Sequence, residues 1–229
     1  MSGLSTKRWL CQDFILKFYP SAFSKEVEDL IRALIEEVAL KHPLWTQESL
    51  LLVNEIKIYV NEQEVFNAAK IEYRPKFGLI MLQIGLADMI KDQCDEKYHG
   101  YLGLHRGELS ADMIDVDTLK AQLFHEFGHP LDETNPKFHY TESTNLSAKQ
   151  AYLMICLWNA YIDGRLSKAN LPICIDLKNR TAEACRYGGP KANIESIKKA
   201  VTEVWDRKEI TYKELTEIAR KEIPYDPES

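Results

Sequence analysis

The spacing of apolar residues divides the first half of the chain into a helix followed by strands. Apolar side chains recur three and four positions apart over 24–41, which predicts an amphipathic helix. Apolar and polar residues then alternate over 55–60 and 71–73, which predicts strands. The apolar segment 77–84 predicts a buried or edge strand followed by a short helix. The stretch 98–110, rich in glycine and aromatic residues, is expected to be loop or irregular strand.

The second half of the chain is predicted to be mostly helical. After a helix that starts near 115, a capping-box pattern at 147–150 opens a long helix that ends before Pro172. The region from there to Pro190 is read as loop. Two further helices follow, and their predicted bounds are 194–207 and 212–222.

The composition places these elements in a globular protein. The chain has 229 residues, of which 45% are hydrophobic and 28% charged, so it can bury a core without help from disulfides. No linker composition, low-complexity stretch or internal repeat marks a boundary. We therefore expect one α+β domain over 1–229, with a helical C-terminal extension over about 190–229.

Charge and cysteine content restrict the expected partners and compartment. The net charge is −6 and the basic residues are scattered, so nucleic acid is not an expected partner. No segment approaches the roughly 20 apolar residues of a membrane span, and the first 20 residues lack the apolar core of a signal peptide. The five cysteines form no CxxC pair, which suits a reducing cytoplasm. We expect a cytoplasmic protein without a membrane partner, and the sequence does not indicate its oligomeric state.

Candidate chemistry is concentrated in the sequence HEFGH, from His125 to His129, which satisfies the pattern HExxH. Two histidines four positions apart lie one turn apart on a helix, so both can bind one metal ion. The helix has Asp115 or Asp117 as its predicted cap. Its other face is apolar and is expected to pack, which would leave the histidine face, with Gln122, open to a cleft.

Glu126 is the predicted general base of this site. Zinc lowers the pKa of a bound water to about 7, so a neighbouring carboxylate can remove its proton at neutral pH and later deliver it to the leaving group. The competing interpretation is an ordinary helix that spells HExxH by chance. The correct face pattern around the two histidines favours the metal site.

A hydrolytic zinc site also needs a third protein ligand. The extended pattern HExxHxxGxxH is absent, because Asp132 and Asn135 stand where its glycine and third histidine would fall. We favour Asp163, on the following predicted helix, over the alternative that it is an exposed charge near a helix end. Other acidic or histidine candidates near the motif are Asp132, Glu133, His139 and Glu142.

The HEFGH motif, together with the stretch Trp-Asn-x-x-x-Asp at 158–163, resembles the zincin metallopeptidases and their gluzincin-like branch. In that branch an acidic residue on the next helix completes the HExxH site. The resemblance covers about 115–165, and only HEFGH is a specific motif. It implies His125, His129 and Asp163 as ligands of one Zn²⁺ per chain, and Glu126 as the base.

Two features depart from the family pattern. Many gluzincins use a Glu ligand with an Asp four residues later, and that alignment would place Asn159 at the ligand position and Asp163 behind it. An asparagine would bind zinc weakly. Pro130 disfavours helical geometry at His129, so we expect His129 on the last helical residue or on a distorted turn.

The resemblance also implies a zincin-like fold: a small mixed sheet, an active-site helix, a second ligand-bearing helix and further N- and C-terminal helices. An edge strand of the sheet would hold an extended peptide, and 77–84 is the best candidate. The sequence does not rank the possible oxyanion donors, which are Tyr140, His139, Arg180 and Tyr187. A further cluster of aromatic residues and histidines is expected either to line a cleft or to belong to ordinary packing: Tyr98, His99, Tyr101 and His105.

These features predict a zinc-dependent hydrolase, with a metallopeptidase that acts on peptide or protein substrates as the leading interpretation. One alternative is a catalytically inactive zincin-fold protein that uses the cleft for binding or regulation. A second alternative is a helical scaffold without metal. Zinc content separates the metal-free alternative from the other two, and a Glu126→Gln variant separates catalysis from binding.

Overall fold

The computed structural model describes both helices and strands, so the chain is a mixed α+β protein. The residues it describes are 15–19, 24–45, 53, 55–61, 70–85, 110–141, 145–187 and 193–224. The chain divides into two compact units, Met1–Leu131 and Asp132–Ser229. The single domain over 1–229 and the zincin-like character of the fold stay predictions.

The described residues of the first unit include a four-stranded sheet. Its strands are β1 (Ile15–Tyr19), β2 (Glu55–Asn61), β3 (Lys70–Arg74) and β4 (Leu79–Gly85). The strand order is β1-β2-β4-β3, with β1, β2 and β4 parallel and β3 antiparallel to β4. The alternating segments 55–60 and 71–73 are therefore strands, as predicted, and the sheet is mixed.

The core side of the sheet follows from the strand register. Ile56 pairs with Ile80 and Ile58 with Leu82, and all four side chains are fully or almost fully buried. Successive strand residues point to opposite faces, so these four share one face. Burial of this aliphatic face is the main hydrophobic contribution that we can assign to the sheet.

The prediction of a buried or edge strand over 77–84 is confirmed as a buried strand from Leu79 onward, and the expectation that this strand forms an edge of the sheet is wrong. Strand β4 lies between β2 and β3, so both of its edges already have hydrogen-bonded neighbours. Phe77 belongs instead to a short 3₁₀ helix, Pro75–Phe77, that turns the chain from β3 into β4. Gly78 takes the left-handed conformation (φ 57°) at that turn, which glycine tolerates best.

One helix of the first unit follows the predicted bounds closely. Helix α1 covers Lys25–Lys41, and the side chain of Ser24 caps it by accepting from the backbone N–H of Val27 at 3.3 Å. Acidic residues in the first turn favour the positive end of the helix dipole. The buried residues recur at the predicted spacing: Val27, Ile31, Leu34, Ile35, Val38 and Ala39.

The second unit is a group of helices around one long central helix. Helix α3 (Ala148–Lys168) packs against three others, which are α4 (Leu177–Tyr187), α5 (Ile194–Asp206) and α6 (Tyr212–Glu222). The C-terminal helices α5 and α6 therefore pack within this unit. Capping boxes open α3 and α6, as predicted.

Helix α4 corrects the prediction of a loop up to Pro190. It buries only a narrow stripe, in which Arg180 and Ala184 are the side chains turned inward. Arginine does not register as a core residue in a hydrophobic pattern, so the periodicity was too weak to recognise. Its start is marked by Asp176, whose side chain accepts from the N–H of Asn179 at 2.8 Å.

Close backbone packing fixes the crossing of α3 and α5. A Cβ atom at Gly164 would lie 2.2 Å from the carbonyl oxygen of Trp205, so only glycine fits at this position. No helix in the described part of the chain is long and apolar enough to cross a membrane.

Candidate metal centre

Helix α2, Val116–Thr134, carries the whole HExxH motif. Asp115 caps it, as predicted, by accepting from the backbone N–H of Thr118 at 3.1 Å. The helix continues through Pro130, so His129 is not the last helical residue, which was one of the two expected placements. A proline removes one N–H donor from the helix, and here the surrounding burial of Pro130 and Leu131 holds the helix together across that loss.

The two histidines are arranged in a way that suits one tetrahedral ion. The ring centroids of His125 and His129 are 5.4 Å apart, and the rings are inclined by 79°. A tetrahedral zinc ion bound by two imidazole nitrogens at about 2.1 Å holds the ring centroids about 5 Å apart. The residues present therefore fit two of the ligand positions of a zinc site.

Glu126 and His125 are more buried than an open cleft would leave them. His125 is 3% exposed and Glu126 is 9% exposed, whereas His129 is of intermediate exposure. The opposite face of α2 is buried as well, with Phe124 and Phe127 fully enclosed. The apolar face of α2 packs, as expected, whereas its histidine face is mixed, because Gln122, His125 and Glu126 are buried while His129 is partly exposed.

A buried histidine outside the motif supports α2. The Nδ1 atom of His42 accepts from the N–H of Leu44 at 3.2 Å, so its other nitrogen, Nε2, carries the proton. That N–H lies 3.1 Å from the carbonyl oxygen of Phe124, directly before His125. The sequence offered no signal for this contact, since 82 residues separate its partners.

Asp163 lies on α3 in the second unit and is fully buried. Its Oδ2 accepts from Nε of Arg180 at 2.7 Å, and its Oδ1 accepts from the N–H of Cys174 at 3.4 Å. Burial opposes the charge of Arg180, but Asp163 and Glu183 outweigh that effect and raise the pKa of the guanidinium. The reading of Asp163 as an exposed charge is therefore wrong, and its role as a zinc ligand stays a prediction.

Asp132 occupies the position where longer motifs carry a glycine, and it is fully buried. Both of its oxygens accept from the guanidinium of Arg165, each at 2.7 Å, and Oδ2 also accepts from the indole N–H of Trp158 at 2.8 Å. The guanidinium of Arg165 lies 3.9 Å from the centroid of the Tyr161 ring. These contacts explain Trp158 and Arg165 in the stretch that resembled a zincin helix.

The remaining candidates are dispersed. His139 is exposed and has a left-handed backbone (φ 53°), and Tyr140 contacts the rings of Trp158 and Tyr212. The guanidinium of Arg180 forms ion pairs with Asp163 and Glu183, so it is not a free donor for an oxyanion. Several candidates lie outside the described residues: Tyr98, His99, Tyr101, His105, Glu142 and the side chain of Tyr187.

Within the described ranges, no three His, Cys, Asp or Glu side chains are grouped closely enough to hold a metal ion.

Comparison with family models, with curated proteins and with solved structures finds no match to this chain. The fold therefore defines a mixed α+β protein, and the case for its chemistry rests on the residues of α2.

Proposed function

We propose that this protein is a zinc-dependent hydrolase, specifically a metallopeptidase, whose centre is built on helix α2. The observation that carries the proposal is the pairing of His125 and His129, whose rings lie 5.4 Å apart on one helix face beside a buried glutamate. At about 100° of rotation per residue, the two histidines and Glu126 leave the helix within a sector of about 100°.

The chemistry divides between the metal and this chain's side chains. Zinc, when bound, supplies a Lewis acid that makes a water acidic near neutral pH and polarises a substrate carbonyl. Glu126 accepts the proton of that water and passes it to the leaving amine. Its burial keeps bulk water from competing for the same proton.

Asp163 is the third ligand in this proposal. To bind a metal ion it would share a carboxylate that Arg180 and the N–H of Cys174 already contact. The ion pair with Arg180 also gives Asp163 a structural role that needs no metal. Variants of the two partners separate these roles, because only the carboxylate is a ligand.

The first experiment measures zinc by elemental analysis on protein purified without a metal-binding tag. About one zinc per chain in the wild type, lost in His125→Ala and in His129→Ala, would support the centre. His139→Asn is the matched control, since His139 is exposed and asparagine tolerates its left-handed backbone. Absence of zinc from the wild type, even after reconstitution, overturns the proposal.

The third ligand is tested by comparing Asp163→Ala with Arg180→Met. Loss of zinc in the first variant but not in the second identifies the carboxylate as a ligand. If Asp163→Ala keeps zinc, Asp163 is not a ligand and is assigned to the ion pair alone.

Hydrolysis is tested on a library of quenched-fluorescent peptides with the zinc-loaded wild type and Glu126→Gln. Cleavage by the wild type that falls by at least about a hundredfold in the variant, with zinc retained, supports the role of the general base. A protein that holds zinc but cleaves no peptide in the library is a zinc-binding protein instead of a peptidase.

A further inference from the structure

Gln122 is a buried amide whose oxygen has no hydrogen-bond donor in the described part of the chain. The residue is 8% exposed, and its Oε1 atom is enclosed and receives no hydrogen bond among the residues that the structure describes. Buried side-chain acceptors almost always have a partner, because leaving one unpaired destabilises the folded protein. An amide retained in this state therefore requires an explanation.

Its place on α2 connects it to the proposed centre. Gln122 precedes His125 by three residues and His129 by seven, and it precedes Glu126 by four. At about 100° per residue its side chain leaves the helix inside the sector of the motif, between the histidines on one side and the glutamate on the other. The side chains on either side of it in the chain, Ala121 and Leu123, carry no donor.

We propose that Gln122 is a positioning residue of this centre, whose Oε1 accepts a hydrogen bond from an O–H or N–H of a bound ligand. This inference rests on the proposed zinc-dependent hydrolase. The two donors that such a centre receives are the water that Glu126 deprotonates and the amide N–H of a peptide substrate. Both would satisfy the same acceptor and hold the reacting group against Glu126.

The first test is the stability of the metal-free protein. Gln122→Met removes the unpaired acceptor at nearly constant volume, so the Tm is expected to rise by about 2 to 8 °C. The matched control is Gln150→Met, since Gln150 is also buried but has both amide atoms paired, with Ser147 and Ile223. The control is expected to lower the Tm. A lower Tm in Gln122→Met overturns the inference, because it means that the protein itself supplies the donor.

The second test identifies the donor with Co²⁺, which reports its ligand geometry through its visible absorption. If the donor is the water, Gln122→Met changes the Co²⁺ spectrum and weakens metal affinity by about 10- to 100-fold. If the donor is a substrate N–H, the spectrum and affinity are unchanged, while KM for a peptide that the wild type cleaves rises about tenfold with kcat retained.

The outcomes separate this inference from the proposed function. If the wild type binds one metal ion per chain and Gln122→Met leaves the spectrum, the affinity and KM unchanged, Gln122 has no positioning role and the centre stands. If the wild type binds neither zinc nor Co²⁺, the proposed function fails and this inference fails with it.

Discussion

The carboxylate of Asp163 and the guanidinium of Arg180 form an ion pair with a 2.7 Å hydrogen bond, and their side chains are 0% and 4% exposed. Removing one partner of a buried pair leaves the other charge without compensation, which costs about 3 to 5 kcal/mol. We expect Asp163→Asn and Arg180→Met each to lower stability by about that amount in urea unfolding.

The control for this pair is Asp29→Asn, which removes an exposed ion pair with Lys25. The side chain of Asp29 is 57% exposed and that of Lys25 is 84% exposed. Exposed pairs contribute little, so this variant is expected to change stability by less than about 1 kcal/mol. A double variant that is no less stable than the single variants would confirm the coupling of Asp163 and Arg180. Equal, small effects in all variants would contradict it.

Gly164 allows the backbones of α3 and α5 to approach closely where the two helices cross. An added methyl group would lie 2.2 Å from the carbonyl oxygen of Trp205, and a backbone atom cannot rotate away. We expect Gly164→Ala to destabilise the protein by about 1 to 3 kcal/mol, although alanine is the better helix former. Thermal unfolding measures the effect, with Lys149→Ala on the exposed face of α3 as control. An unchanged Tm in Gly164→Ala would mean that the helices separate at no cost.

Structural features that depend on residues close together in the chain were predicted correctly from the sequence. Helix α1, its cap at Ser24 and the capping boxes of α3 and α6 all follow from residues three or four positions apart. The HExxH spacing belongs to the same class, because its two histidines meet on one helix turn.

Contacts between distant residues were not predictable in this way. Arg180, which donates to Asp163, lies 17 residues further along the chain on a helix that the hydrophobic pattern did not predict. Arg165, which donates to Asp132, lies 33 residues further along. Family resemblance predicted a metal-ligand role for Asp163, but nothing along the chain indicated its hydrogen bonds with Arg180 and Cys174. The interior position of β4 likewise depends on β3 turning back beside it, which a strand pattern alone does not specify.

Glu214 makes stability depend on pH through the capping box of α6. The N–H of Thr211 and its hydroxyl both donate to this carboxylate, which lowers its pKa below the ordinary 4.5. Because the pKa of Glu214 is lower in the folded protein than in the unfolded chain, its carboxylate stabilises the fold at pH values above the unfolded pKa of about 4.5. That stabilisation is lost as the pH falls through the folded pKa.

We therefore expect Glu214→Gln to lower stability by about 0.3 to 1 kcal/mol at pH 7 and by progressively less below pH 4.5. Urea unfolding at pH 7, 4.5 and 3 measures the difference from wild type. Glu217→Gln, on the same helix and exposed, is the control. A difference that stays constant with pH would contradict the linkage.

Cys156 is predicted to be inert towards alkylating reagents. Burial raises the pKa of its thiol to about 12, with a smaller contribution from the charge of Glu183. At pH 8 only roughly one molecule in ten thousand then carries the reactive thiolate. Peptide mapping after iodoacetamide treatment should show Cys174 and Cys185, both partly exposed, modified well before Cys156. Equal labelling in 6 M urea is the control, and equal labelling without urea would refute the burial.

The capping box of α3 has a consequence for the timing of synthesis. Gln150 in its first turn donates to the carbonyl of Ile223, 73 residues further along, at 2.7 Å. At about 5 to 20 residues per second, a ribosome needs about 4 to 15 seconds to add those residues. During that interval α3 has been synthesised without α6, which packs against it in the folded unit. The hydrogen bond between Gln150 and Ile223 can therefore form only after translation has passed Ile223, so this unit completes its packing late in synthesis.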